Sequence, residues 1–228
     1  AVGVRGTVHL MPAETTETEL LAKVDALNAD PAVDGILVQT PLPRGLCDRS
    51  VIERIDPAKD VDGFHPENVG RLVIGMPRLV ACTPLGVQRL LNHVPTRGAH
   101  AVVLGRSNIV GKPMALLLMQ KGPGGDATVT VCHTATKDPR AAAREADILI
   151  VAMGRAESVG ADWIKPGAAV IDVGMHRRAD GSFCGDVKSA EVAEVAGWLT
   201  PVPGGVGPMT VAMLLSNTVR AARLRAGL

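Results

Sequence analysis

Two carboxylates stand one residue apart in a loop rich in glycine and proline, at Asp60 and Asp62. Such a pair can bind a metal ion, but no further ligand follows at metal-binding spacing, and aspartates beside glycine more often cap a turn. Gln39 ends a short apolar run, 35–39, where an open α/β sheet presents ligand-binding groups. A single Gln there is also often only a hydrogen-bonding loop residue. These residues favour polar-ligand recognition and predict no metal site.

The segment from Pro201 to Thr210 contains six glycine or proline residues among ten. Proline stiffens a turn, and glycine leaves the backbone bare, so that a ligand can approach it closely. As a purely structural loop the segment would be unusually constrained. We therefore interpret it as a ligand cradle or lid beside the start of a helix.

A second glycine loop, from Gly105 to Gly111, joins a predicted strand to a predicted helix. Free N–H groups and the helix dipole at such a junction favour a phosphate. The loop is not the G-x-G-x-x-G fingerprint, so an ordinary strand–helix turn stays open as an alternative.

The choice of cofactor follows from the end of the next strand, Cys132-His133-Thr134. This strand lacks the acidic residue that usually holds the ribose of NAD, while Arg106 on the first loop suits a 2′-phosphate. The sequence therefore favours NADP. A solvent-facing Arg106 is the alternative.

No nucleophilic triad is visible, because Ser107 lacks the G-x-S-x-G setting. We interpret His65 and His133 as structural. The four cysteines form no C-x-x-C pair, which argues against a zinc site or a disulfide scaffold and predicts a cytoplasmic setting.

Charge and hydropathy exclude several classes of protein. Lysine and arginine number 24, aspartate and glutamate 23, so the formal net charge of +1 gives no bulk attraction to nucleic acid or to a membrane surface. No apolar run approaches the ~18–20 residues of a membrane helix, and residues 1–10 do not form a signal peptide.

The elements that position these residues follow from hydrophobic spacing and from caps. A capping box at Thr16 and Glu19 opens a helix over about 16–29, a buried strand covers 35–39, and Thr83 and Pro84 open a further helix. The turn 95–98 is the expected domain boundary.

After this turn strands alternate with helices, which predicts a doubly wound parallel sheet. The predicted strands are 100–105, 127–132, 147–152, 169–174 and roughly 197–200. The predicted helices are 112–120, 138–145, 189–196 and about 209–224. A hairpin is expected over 176–187.

Together the motifs resemble the bifunctional methylenetetrahydrofolate dehydrogenase/methenyltetrahydrofolate cyclohydrolase family. Segments 34–43, 59–66 and 201–210 carry the likeness in the right order, and 105–107 and 132–134 match the family's cofactor half. The likeness runs from end to end of the chain. Thr40, where the family usually has Leu, is a minor departure.

The resemblance implies an α/β fold of two domains. Residues 1–94, completed by 207–228, would form an N-terminally truncated three-layer α/β folate domain, and 95–206 a Rossmann-type NADP domain. The implied activity is NADP-dependent oxidation of 5,10-methylenetetrahydrofolate, followed by hydrolysis of the methenyl product to 10-formyltetrahydrofolate. A homodimer through the cofactor domain, with the 176–187 hairpin supplying the contact, is implied by the same analogy.

The resemblance also assigns roles to single residues. Asp62 would bind the amino-pyrimidine edge of the pterin, and Gln39 would hold the catalytic lysine. The residues that would line folate and nicotinamide are Pro203, Gly204, Gly207 and Thr210. Those that would hold the cofactor are Gly105, Arg106, Ser107 and Thr134, with the backbone of Met175 touching its other half.

One departure concerns the family's catalytic lysine and its tyrosine partner, which lie upstream of the matched segment. We expect that region to be absent from this chain, which contains no tyrosine, and none of its lysines stands in the matching motif. Hydrolysis is therefore expected to be lost in this chain. The alternatives are a non-catalytic NADP-binding remnant or scaffold and, less favoured, another two-domain dehydrogenase of the shikimate type.

Overall fold

The chain divides into two compact units in the computed structural model, which describes residues 3–228. Unit 1 comprises residues 3–82 with 214–228, and unit 2 comprises 83–213. The sequence placed the divisions at 94/95 and 206/207, so the turn 95–98 falls inside unit 2.

The helices are α1 (Glu17–Ala29), α2 (Asp48–Arg54), α3 (Pro66–Val73), α4 (Cys82–Leu90), α5 (Gly111–Leu118), α6 (Pro139–Arg144), α7 (Ser189–Ala193) and α8 (Val206–Arg225). The strands are β1 (His100–Leu104), β2 (Thr128–Cys132), β3 (Ile148–Val151), β4 (Ala169–Asp172), β5 (His176–Arg177), β6 (Phe183–Cys184) and β7 (Trp198–Leu199). Short 3-10 helices cover Leu91–His93 and Ala161–Trp163.

Helix α1 begins as its capping box predicts. The Thr16 hydroxyl accepts the N–H of Glu19, and the Glu19 carboxylate accepts the N–H of Thr16. The buried side chains of α1, Leu20 and Val24, belong to a small apolar core with Ile36. Unit 1 thus has a core of its own.

The predicted strand 35–39 is wrong in its extent, because only one isolated parallel bridge forms there, between Ile36 and Asp60. The N–H of Ile36 donates to the carbonyl of Lys59 over 2.7 Å. No second described segment pairs with the run, and Pro41 after it has no N–H to extend a ladder.

Two predicted helix starts are also wrong. Helix α4 begins at Cys82, so Thr83 and Pro84 lie in its first turn, and α8 begins at Val206, so Gly207 and Pro208 lie inside that helix. Proline is tolerated in a first turn because its missing N–H would have no partner there.

Unit 2 is built on a five-stranded parallel sheet in the order β2-β1-β3-β4-β7, which confirms the predicted parallel arrangement. The predicted hairpin is confirmed as an antiparallel pair of β5 and β6. The end of β1, Leu104, pairs with Cys132 on one side and Val151 on the other. Strand order therefore reverses at β1, where doubly wound sheets open a crevice for a ligand.

The interior of the sheet is apolar on both faces, as expected for parallel strands covered by helices. Val102, Ile150 and Val170 have no exposed surface. Among residues 3–228 no helix is long and apolar enough to cross a bilayer.

Candidate active site

A cavity of about 490 Å³ opens at the carboxyl ends of β1, β2 and β3. Its lining includes Gly105, Arg106, Ser107 and Thr134, four of the residues assigned to the cofactor. Apolar surface comes from Met153 and Trp163 among others. The sequence-predicted loop and strand end are therefore brought to one cavity at the crevice of the sheet.

The charge of this cavity is positive. Arg106 and Arg155 both line it, and no aspartate or glutamate does so. Neither guanidinium group forms an ion pair within residues 3–228. Two uncompensated cations without a competing carboxylate suit the pyrophosphate and the 2′-phosphate of NADP.

The glycine loop is held in shape by its own backbone and by Ser107. The Ser107 hydroxyl accepts the N–H of Val110 over 3.1 Å, just before α5 begins. Gly105 has φ +129°, and a side chain there would meet the carbonyl of Ala152. A residue other than glycine would therefore be strained at this position and would clash with the segment that follows β3.

A second cavity of about 220 Å³ lies at the end of β4. It is lined by Pro203, Gly204, Gly207 and Thr210, the four residues of unit 2 assigned to folate and nicotinamide, and also by Met175. Met175 therefore lies with the proline–glycine run and does not line the larger cavity. The Thr210 hydroxyl is 3.1 Å from that of Thr83, which also lines this cavity.

In unit 1, Asp60 caps the turn that carries Asp62. The buried Asp60 carboxylate accepts the N–H groups of Gly63, Phe64 and His65 and the side-chain amide of Asn68. This confirms turn capping for Asp60. Among residues 3–228 no group of three or more His, Cys, Asp or Glu side chains could hold a metal ion.

Asp62 lies between anchored neighbours but has no hydrogen bond or ion pair with a described residue. The carbonyl of the preceding residue, Val61, accepts a hydrogen bond from the side-chain amide of Asn217 over 2.8 Å. Gly63 after it has φ +75° and packs on the backbone of Val80. Burial, and secondarily the charge of Asp60, raise the pKa of Asp62 to about 6. The backbone on either side of Asp62 is thus anchored, while its carboxyl group has no partner among the described residues.

Gln39 is exposed, and its side chain donates only to the carbonyl of Thr40, over 3.2 Å. The structure records no hydrogen bond between Gln39 and Asp62. The role assigned to Gln39 by resemblance stays a prediction.

The histidines singled out in the sequence have local structural contacts. His65 Nδ1 accepts the N–H of Glu67 at the start of α3, and His133 Nδ1 accepts that of Ala135. Both shape a loop. The free Cys82 is buried, and burial raises the pKa of its thiol to about 12, so it is no nucleophile.

Three residues near the larger cavity were missed from the sequence. Arg155 lines it, and the buried Asp186 carboxylate accepts backbone N–H groups of the loop that carries Arg155. Asp172, also buried, accepts the N–H of Asp186 and itself lines the smaller cavity. Burial raises the pKa of Asp172. For Asp172 a signal was available, because a charged residue within the apolar strand 169–174 needs partners. The sequence around Asp186 contains no such signal.

Models of the tetrahydrofolate dehydrogenase/cyclohydrolase family match both parts of the chain. The catalytic-domain model matches residues 1–62, and the NAD(P)-binding-domain model matches 81–226.

Curated relatives and solved structures agree with this match. A bifunctional protein FolD of Acidiphilium cryptum is 58% identical over 227 residues, which are 99% of this chain and 80% of that relative. The crystal structure of the FolD dehydrogenase/cyclohydrolase of Campylobacter jejuni superposes with a TM-score of 0.89 at 49% identity, covering 93% of this chain and 75% of the other. The Trypanosoma brucei FolD, solved with NADP cofactor and inhibitor, gives a TM-score of 0.87 at 41% identity and covers 95% and 75%.

Proposed function

The chain belongs to the tetrahydrofolate dehydrogenase/cyclohydrolase family, and on that premise we propose that it oxidises 5,10-methylenetetrahydrofolate with NADP. The family's second reaction, hydrolysis of the methenyl product to 10-formyltetrahydrofolate, is expected to be lost in this chain, since none of its lysines stands in the matching motif. The observation that carries the proposal is the larger cavity, which is lined by two arginines without ion pairs and by no carboxylate. That lining fits a cofactor with a 2′-phosphate. The NADP-bound relative supports the same choice.

The residues contribute binding and orientation. NADP, when bound, accepts the hydride, and such a transfer needs little acid–base assistance beyond alignment of donor and acceptor. Arg106, Ser107 and Thr134 would hold phosphates and ribose. Pro203, Gly207 and neighbouring backbone would border the nicotinamide end and the folate.

Asp62 would hold the pterin. The 2-amino group and a ring N–H of a pterin present adjacent donors, and a carboxylate that is fixed but unpaired accepts them as a charge-assisted pair. The role of positioning a catalytic lysine, assigned to Gln39 by resemblance, concerns the hydrolysis step. No lysine of these 228 residues stands in the matching motif.

A cytoplasmic location and a homodimer through the β5–β6 hairpin belong to the same proposal and rest on family analogy. Phe183 on this hairpin is 45% exposed and would be covered by such a contact. Sedimentation at several protein concentrations measures whether the chain forms this homodimer.

The test is an assay of the chain with methylenetetrahydrofolate and NADP. We expect the absorbance of the methenyl product to rise with time. Its decay, compared with that of a sample without protein, measures hydrolysis, and we expect the two decays to be equal. Folded protein that binds NADP but forms no methenyl product would identify the non-catalytic alternative. Folded protein that does not bind NADP would overturn the proposal.

A further inference from the structure

Asp186 gathers three consecutive backbone N–H groups on one carboxylate. Met153 and Gly154 donate to Oδ2 over 2.6 and 2.9 Å, and Arg155 donates to Oδ1 over 2.9 Å. The Asp186 side chain has no exposed surface. Successive N–H groups that converge on an anion form a concave nest, and here the anion comes from the protein itself.

The nest depends on the conformation of Gly154. Its φ is +67°, in the left-handed region that other residues rarely adopt. No atom outside its neighbours lies within 4 Å of the position of an added Cβ. The glycine is therefore required by backbone geometry and not by crowding.

The loop that Asp186 holds is a wall of the larger cavity. Met153 and Arg155 both line the cavity directly after β3, as does Ser158 farther along. Asp186 fixes the backbone of Arg155. The side chain of Arg155 therefore extends from a fixed backbone position. A change in this loop would alter the cavity without any change in the sheet.

Further contacts, made outside the loop, also hold Asp186. His176 Nε2 lies 2.7 Å from Oδ1 of Asp186, within hydrogen-bonding distance. The backbone N–H of Asp186 donates to Asp172 over 3.0 Å. Gly174 has no side chain, which lets the Asp186 carboxylate approach it closely. These contacts hold the carboxylate in one orientation.

We propose that Asp186 is a positioning residue for the cofactor, which sets the segment from Met153 to Arg155, and with it two lining residues of the larger cavity, before NADP binds. The proposal rests on the proposed function, because it assigns the larger cavity to NADP. A residue that only stabilised the fold would show the same burial. The two roles differ in what they do to cofactor affinity.

The first test is Asp186→Asn, compared with Asp147→Asn as a matched control. The Asp147 carboxylate also accepts a backbone N–H, from His100 over 2.9 Å, and the Lys165 ammonium over 2.6 Å, but it precedes β3 and does not line the cavity. An amide in place of Asp186 turns one acceptor into a donor facing N–H groups. We expect the Kd and KM for NADP to rise at least about tenfold, with kcat at saturating NADP changed less than about threefold. Asp147→Asn should lower only the melting temperature.

The second test changes the loop that donates the N–H groups and leaves the buried Asp186 carboxylate unchanged. Gly154→Ala strains the nest, whereas Gly167→Ala imposes similar strain at φ +83° in a turn outside the cavity. Both sites are exposed with open space around them, so both variants should fold. We expect Gly154→Ala to weaken NADP binding by about threefold or more and Gly167→Ala to leave it unchanged.

Calorimetric titration with NADP separates the possible failures. Unchanged NADP affinity in Asp186→Asn or in Gly154→Ala, with the wild type binding normally, would overturn the positioning role. If Asp186→Asn does not fold, Gly154→Ala decides. A folded wild type that does not bind NADP would instead overturn the proposed function.

Discussion

The Asp60 carboxylate takes the hydrogen bonds of the loop that it shares with Asp62, and Asp62 receives none. The turn therefore satisfies the carboxylate of Asp60, whereas that of Asp62 is half-buried and close to the like charge of Asp60. The pKa of Asp62 rises to about 6 as a result.

Folate affinity is expected to increase with pH around this value. Only the ionised carboxylate accepts both pterin donors, and with a pKa of about 6 its ionised fraction rises about tenfold from pH 5 to pH 7. The Kd of a folate analogue, measured by calorimetry over this range, should fall by a similar factor. In Asp62→Asn binding should be weak, with that pH dependence removed.

Stability gives an independent check of the same pKa. Since the folded pKa lies above the unfolded value of 3.8, Asp62 lowers the free energy of unfolding as pH rises from about 4 to about 6. Asp62→Asn should therefore gain stability relative to wild type at pH 7 and lose this advantage at pH 4. Equal differences at the two pH values would contradict the shift.

Replacing Arg106 with alanine should weaken NADP far more than NAD. The two cofactors differ only in the 2′-phosphate, so a guanidinium group that binds this phosphate contributes to one affinity and little to the other. We expect a loss of at least about tenfold for NADP and about twofold for NAD.

Titration of both cofactors checks the Arg106 assignment. Arg97→Ala, an exposed arginine in the turn before β1, is the matched control and should change neither affinity. Equal losses for both cofactors in Arg106→Ala would remove the 2′-phosphate assignment.

Asn217 is expected to stabilise unit 1 strongly. Its buried amide donates to the carbonyls of Val61 and Val80 over 2.8 Å each. Asn217→Leu leaves both acceptors unsatisfied, which should lower the free energy of unfolding by about 2–4 kcal/mol. Urea denaturation measures this, and Asn92→Leu at an exposed position should change it little.

Lys59 is expected to matter for folding rather than for catalysis. Its buried ammonium donates to the carbonyls of Leu27 and Asn28 in the last turn of α1 and to that of Asp30 just after the helix. Lys59→Met should lower the free energy of unfolding by about 2–4 kcal/mol, because these carbonyls lose their donor.

The control for Lys59 is Lys137→Met, an exposed lysine before α6. It should leave the denaturation midpoint unchanged. A destabilisation by Lys59→Met no larger than that of Lys137→Met would show that the three carbonyls find water instead.

The sequence predicted the parallel sheet because most of its strands are short apolar runs that alternate with helices, and helix α1 because Thr16 and Glu19 form a local capping box. Local signals of this kind survive folding. The strand at 35–39 was overpredicted, because strand formation depends on partners that a sequence does not reveal.

The same limit applies to the candidate site. Arg106 and Thr134 were predicted because each follows a recognisable strand, and both line the larger cavity. Arg155 and Asp186 meet only through contacts between segments some thirty residues apart. No local pattern encodes such a meeting, and the partners of Asp186 become visible only in three dimensions.

Two glycines that lie against two carboxylates restrict which substitutions the segment from Asp172 to Val187 can accept. A side chain at Gly174 would displace Asp186, and one at Gly185 would displace Asp172, so single exchanges are disfavoured at four positions at once. Chimeras between relatives should therefore place their crossovers before Asp172 and after Val187. A junction inside that interval would separate residues that can change only together.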